Sequence, residues 1–176
     1  AHCLEYEEKI AAVGGIDIQV LGIGRTGHIG FNEPGSSRES RTRMITLDQI
    51  TRNDAASDFF GEEYVPRRAI TMGVGTILEA RQVYLLAFGE GKAPIVARTV
   101  EGTVTSSIPA TFLQAHKNAK VMLDEAAADR LTRYEAPWLL GPMGGELEWD
   151  ENLVRKAVLW LAAKVDKPLL KLTEQD

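Results

Sequence analysis

The sequence predicts an α/β domain, a mostly parallel sheet with helices packed on its faces. Three observations carry this. Strand-length apolar runs end in glycine turns at three places, "IDIQVLGIG", "RAITMGVG" and "QVYLLAFGEG". Helical patterns alternate with these runs, as parallel strands require of their crossovers. The composition, 44% hydrophobic and 26% charged over 176 residues, gives one packed domain enough apolar material for a core.

The elements follow in chain order. Residues 2–12 read as the end of a helix, with Leu4, Tyr6 and Ile10 apolar, "EEK" solvated, and Gly14-Gly15 as the stop. Residues 16–24 read as a strand that becomes fully buried, and "MITL" at 44–47 as a short one. Asp48 is a helix start signal, followed by a helical period through Ile50, Ala55 and Phe59. "RAITMGVGTILEA" is strand, Gly-x-Gly turn and short helix; a buried strand at 83–88, a turn at Gly89 and Gly91, and a helix from Lys92 repeat the plan. "PATFLQAHKN" reads as helical, and "AKVMLDEAAADRL" again as strand into helix with Asp124 near the cap. After Tyr134 the composition turns to proline, glycine and tryptophan. A helix then starts near Asp150, with the stripe Leu153, Val154, Ala157, Val158 and Leu161, and "KPLLKL" is a candidate last strand.

Charge and composition narrow the function classes. A net charge of −5 provides no cationic footprint for nucleic acid or an anionic membrane, although an anionic small molecule needs only local positive charge. The one cysteine, Cys3, excludes an intrachain disulfide framework and fits a reducing, cytoplasmic setting. No apolar run approaches the roughly 20 residues of a membrane helix. The chain opens at Ala1 within a helical pattern, so a piece of a longer protein is expected.

Ligands of open parallel sheets sit outside the carboxyl ends of the strands. That directs attention to Gly22–Gly30, Gly73–Gly75 and Gly89–Gly91, although βα turns favour glycine without any ligand. In the first turn His28 follows Gly27, and Glu33 comes five residues later. An imidazole there can move protons near neutral pH with a carboxylate to orient it; the same pattern fits a turn-capping histidine and a solvated glutamate. Lys92, at a helix start after Gly91, reads either as an added charge at an anion-binding helix end or as a solvated lysine. Arg41 and Arg43 read as an anion site, a subunit contact or plain surface, His116 as packing or a helix-end cap, and Trp138, Trp149 and Trp160 as packing anchors. No metal-ligand spacing and no nucleophile elbow occur.

"GHIGFNEPGSS", "SRTR", "AITMGVGTIL", "GKA", "VEG" and "LQAH" stand in one order over residues 6–131, and with them the chain resembles the glucosamine-6-phosphate deaminase (isomerase) family. 6-Phosphogluconolactonase has a similar glycine-histidine turn but lacks the Asn32-Glu33-Pro34 step. The resemblance implies a Rossmann-like three-layer α/β/α fold, here incomplete at its N-terminal side. Residues 1–134 would be the C-terminal portion of a deaminase-like domain, and 135–176 a connecting segment with one helix. It implies conversion of glucosamine 6-phosphate, the small-molecule partner, to fructose 6-phosphate and ammonia, with no metal and no cofactor. The ring opens, a proton moves between neighbouring carbons, and ammonia leaves as water adds. The ring-opening histidine falls on His28, its supporting glutamate on Glu33, close backbone approach on Gly27, and the phosphate contact on Lys92. Ser36 and Arg43 match a regulatory sugar-phosphate site. The family forms hexamers or monomers, so a homo-oligomer is one expectation.

Four departures accompany this match. Thr26 stands where the family usually has an aspartate, and Asp58 where a phosphate-binding arginine precedes the paired phenylalanines, here Phe59-Phe60. Ile45 replaces a regulatory-site lysine. The family's first phosphate loop and its base-bearing aspartate fall outside these residues, so the chain alone is expected to be inactive. The tail resembles a longer variant in which a deaminase-like half is joined to a deacetylase-like half. Three functions follow as expectations: a deaminase acting on the phosphorylated sugar, a relative that takes the free amino sugar, and a sugar-binding module that keeps the fold without turnover.

Overall fold

A computed structural model describes residues 1–140 and 147–175. The run "GPMGGE" at 141–146, part of the expected connecting segment, and Asp176 lie outside the described residues. The chain divides into two compact units, Ala1–Asp129 and Arg130–Asp176.

The first unit is built on three parallel strands, β1 (Ile18–Gly22), β4 (Gln82–Ala87) and β5 (Ala119–Leu123), in the order β1-β4-β5. Leu85 is the central residue of the register, opposite Leu21 on one side and Val121 on the other. The central strand alternates as period 2 demands, with Val83, Leu85 and Ala87 buried. The expected full burial of the first strand is corrected. Of its apolar residues only Leu21 is buried, while Ile18 and Val20 are each 57% exposed, because among the described strands only β4 pairs with β1.

The other two strands also depart from the parallel plan. β2 (Arg43–Thr46) and β3 (Arg68–Thr71) pair antiparallel in a sheet of their own, with Arg43 opposite Thr71. Short strands with alternating exposure carry no sign of their direction, and here the chain returns over α2 (Gln49–Ala55) to pair with itself.

Helices begin where capping chemistry put them. Asp48 caps α2 by accepting from Ile50 N–H, and Asp124 caps α5 (Glu125–Ala128) by accepting from Ala127 N–H. α3 (Val74–Leu78) follows β3, and α4 (Ala93–Val100) follows β4 through a 3₁₀ turn at Glu90–Lys92, with Ile95, Val96 and Thr99 buried. Three local expectations change. In α2 the buried residue is Thr51, whereas Ile50 and Phe59 are exposed. "PATFLQA" is a 3₁₀ helix, Pro109–Ala115, with Thr111 Oγ1 donating to Ile108 O and accepting from Thr105 N–H. α1 (His2–Ala12) presents Leu4 and Tyr6 to solvent and turns Glu7 inward. That carboxylate accepts from Thr42 N–H at 2.7 Å, from the Thr42 hydroxyl and from Thr76 Oγ1 at 2.6 Å, so it is no solvated member of "EEK".

The second unit holds α6 (Thr132–Glu135), a 3₁₀ turn at Pro137–Leu140 and α7 (Glu151–Lys164), which Asp150 caps through Leu153 N–H. Trp138 lies 6.2 Å from Trp149 and 5.7 Å from Trp160 between ring centroids, the packing cluster expected of them. The half-buried stripe of α7 is Leu153, Ala157, Trp160 and Leu161; Val154 and Val158 face out. "KPLLKL" is a 3₁₀ turn at Leu169–Lys171, not a strand, with Pro168 at its start. No helix among the described residues is long and apolar enough to cross a membrane.

Candidate active site

The site forms where β1 ends. The chain leaves Gly22, turns through Gly24 and Gly27, and brings His28 back over Gly24, whose N–H donates to His28 O at 3.2 Å. A Cβ on Gly24 would lie 2.3 Å from Cε1 and Nε2 of the imidazole, so only glycine lets the ring lie there. Gly27 has φ +81°, and a Cβ on it would strike Ile108 Cγ2 at 2.4 Å.

His28 and Glu33 meet. Nδ1 lies 3.1 Å from Glu33 Oε2, with the two side chains 15% and 11% exposed. Two hydroxyls complete the cluster: Thr26 Oγ1 is 3.2 Å from Nδ1 and donates to Glu33 Oε2 at 3.3 Å, and Thr51 Oγ1, from α2, is 3.3 Å from Nδ1. Asp48 N–H donates to Glu33 Oε1, and the Phe31 ring meets the imidazole edge-on. Burial disfavours ionisation of Glu33. Hydrogen bonds from His28 and Thr51, the imidazole's charge and the Asp48 N–H outweigh it and hold the carboxyl below its ordinary range. An ionised carboxylate can only accept, so Nδ1 carries its proton toward Glu33 and Nε2 is the ring nitrogen left to exchange one. No described protein group bonds to Nε2.

The other expected residues divide. Lys92 Nζ is not in open solvent; it crosses to donate to Ile23 O at 2.8 Å, at the same end of β1. Its charge and that of His28 both act on Asp54, which the Arg25 guanidinium grips and holds below the usual carboxylate range. Ser36 and Arg43 touch: Arg43 donates to Ser36 Oγ at 2.9 Å and to Asn32 Oδ1 at 2.8 Å, so Arg43 is tied into the turn rather than spread on the surface. Arg41 pairs with Glu79. His116 packs as expected, Nδ1 accepting from Asn118 N–H and Nε2 facing Ala80 O at 2.8 Å.

The second glycine turn is filled by protein, a Cβ on Gly73 lying 2.0 Å from Ser40 O, whereas space is open at Gly89 and Gly91 in the third. Gly75 N–H donates to Ser40 O and Val74 N–H to Ser40 Oγ, while Gly89 N–H is taken by the Asp124 carboxylate. Thr51, Arg25 and Asp54 were not legible as site residues: Thr51 stands 23 positions from His28, and no spacing links them. Among the described residues, no three histidine, cysteine or carboxylate side chains are grouped to hold a metal ion.

Residues 1–123 match the family model described as glucosamine-6-phosphate isomerases/6-phosphogluconolactonase. The chain belongs to this family. A protein named as glucosamine-6-phosphate deaminase-like, from Bacteroides thetaiotaomicron, is 49% identical over 175 residues, covering 99% of this chain and 26% of that one. The glucosamine-6-phosphate deaminase of Shewanella woodyi is 58% identical over 130 residues, covering 74% of this chain and 49% of its own length. Among solved structures, a monomeric glucosamine-6-phosphate deaminase superposes with a TM-score of 0.71 at 44% identity, over 73% of this chain and 53% of its own. The 6-phosphogluconolactonase of Trypanosoma cruzi gives 0.56 at 26%, over 74% and 51%. The chain thus spans about half the length of most of the relatives it matches, and a quarter of the Bacteroides protein. Within the glucosamine-6-phosphate isomerase/6-phosphogluconolactonase family, its sequence stands nearer these deaminases than this lactonase.

Proposed function

We propose that this chain is part of an amino-sugar phosphate deaminase that converts glucosamine 6-phosphate to fructose 6-phosphate and ammonia, and that His28 opens the sugar ring. The observation that carries the reading is the part-buried His28–Glu33 pair at the end of β1, with Nδ1 tied and Nε2 open. Ring opening breaks the bond between the anomeric carbon and the ring oxygen. The ring oxygen gains a proton and the anomeric hydroxyl loses one. A doubly protonated His28 gives its Nε2 proton to the ring oxygen, and the same nitrogen then takes the hydroxyl proton; Glu33 keeps Nδ1–H in place and stabilises the charged ring.

Gly27 lets the backbone approach the sugar, Lys92 contributes positive charge for the phosphate, and Ser36 with Arg43 forms the proposed regulatory contact. The later proton transfer and amine loss belong to groups outside these residues, so the 176-residue chain by itself releases little ammonia. The chemistry requires no metal and no cofactor. A cytoplasmic setting is part of the same reading, since a sugar phosphate stays in the compartment that makes it.

The test measures ammonia released by the complete protein from glucosamine 6-phosphate and from glucosamine, with this chain run beside it. Release from the phosphorylated sugar is expected, and His28→Ala should slow it about 10²–10⁴-fold. Release from glucosamine alone would transfer the reading to an unphosphorylated substrate despite Lys92. A folded protein that binds either sugar and releases nothing would be a binding module.

A further inference from the structure

Asn32 is fully buried, yet it is polar and directly precedes Glu33. Every part of its amide is used. Nδ2 donates to Ile29 O and to Met72 O, each at 2.8 Å, and Oδ1 accepts from Arg43 Nη1 at 2.8 Å. The first bond closes the turn between His28 and Glu33 on itself, and the second anchors it to the end of β3. The third ties it to β2. The adjacent residue, Phe31, donates its N–H to Thr71 Oγ1 at 2.9 Å. Arg43 and Thr71 are opposite each other in the β2–β3 register, so one rung of the two-stranded sheet grips two consecutive residues of the turn.

We propose that Arg43 and Asn32 are positioning residues: through them the β2–β3 pair sets the His28–Glu33 spacing. Arginine suits this place because Nη1 and Nη2 reach different partners, Asn32 Oδ1 and Ser36 Oγ, at once. Ser36 in turn gives its N–H to Glu33 O, so both arms of the guanidinium end on residues flanking the glutamate. A lysine ammonium has no fixed fork and cannot reproduce both contacts in this geometry. An aspartate at 32 loses both side-chain N–H donors, which leaves Ile29 O with only the backbone N–H of residue 32 and Met72 O with only the Thr71 hydroxyl, and cuts the side-chain tie to the end of β3.

The inference rests on the proposed function for its turnover readout, and a second readout is independent of it. Arg43→Lys, Asn32→Asp and the milder Ser36→Ala are made in the complete protein and in this chain, with folding checked by circular dichroism. In the complete protein, Arg43→Lys and Asn32→Asp should lower kcat about 10–100-fold, as a misplacement near 1 Å does. KM should move less than about threefold and the pH–rate profile should shift. Ser36→Ala should lower kcat by less. In this chain the His28 Nδ1–H proton, hydrogen-bonded to Glu33 and followed by NMR, should broaden or vanish in Arg43→Lys and Asn32→Asp and weaken in Ser36→Ala. An unchanged kcat, pH profile and Nδ1–H signal in folded Arg43→Lys and Ser36→Ala overturns the proposal. A wild type that releases no ammonia overturns the proposed function instead, and the NMR signal still decides the positioning role.

Discussion

Gly24→Ala is the most direct probe of the site geometry. The added methyl would lie 2.3 Å from Cε1 and Nε2 of His28 and 2.7 Å from Cδ2, where ordinary contact begins near 3.4 Å. The imidazole must therefore retreat by about 1 Å. It cannot do so and keep Nδ1 at 3.1 Å from Glu33 and within 3.3 Å of Thr26 and Thr51. A displacement of that size costs about 10²-fold in turnover, or about 3 kcal/mol of barrier. The backbone itself accepts alanine, because Gly24 has no positive φ, so the protein should still fold, with a melting temperature lowered by about 2–10 °C for the weakened contacts of Glu33. Gly22→Ala is the control: its Cβ would meet nothing within 4 Å. The assay is ammonia release by the complete protein, with thermal melts of each variant. A folded Gly24→Ala enzyme that turns over like wild type would show that the position of His28 over Gly24 does not matter to the reaction.

Two further predictions concern stability. Glu33 has its native pKa below the ordinary 4.5, so its contribution is present above that value and is lost as pH falls through 4.5 and then through the native pKa. Wild type should accordingly lose more stability than Glu33→Gln between about pH 5 and 3, measured by urea unfolding at each pH; parallel curves would refute the linkage. Glu7→Ala removes the acceptor of Thr42 and Thr76 and should cost about 1–3 kcal/mol in urea unfolding, whereas a change below about 0.5 kcal/mol would make Glu7 a surface residue.

Much of this architecture is written locally. The caps at Asp48, Asp124 and Asp150 depend on a side chain and an N–H two or three residues away, so they are legible without the fold. His28 and Glu33 are likewise five residues apart on one turn. What escaped reading depends on distant partners. The antiparallel pairing of β2 with β3 is decided by the chain's return, and its short strands resemble any others. Glu7 looks like one of several solvated acids until Thr42 and Thr76 arrive from 35 and 69 positions away. The second and third glycine turns match the first in pattern; only Ser40, which fills the second, and Asp124, which takes the Gly89 N–H of the third, tell the three apart. In "KPLLKL" the apolar run suggests a strand, and the local signal against one is the proline, which cannot donate to a ladder and here starts a 3₁₀ turn.

The bonds that hold the His28–Glu33 turn have a consequence for how the molecule assembles. His28 and Glu33 are near neighbours in the chain, yet Phe31 and Asn32 are fastened across 40 residues to Thr71 and Met72, and Lys92 reaches Ile23 across 69. Closing loops of that length carries an entropic cost that must be met before the contacts form. The dyad therefore acquires its geometry late in folding, when β3 docks, rather than when the turn first bends. A peptide bearing "GHIGFNEP" would contain both the imidazole and the carboxylate and still have no fixed distance between them. A nascent chain likewise would fix the His28–Glu33 contact only after Met72 has been synthesised and has found Asn32.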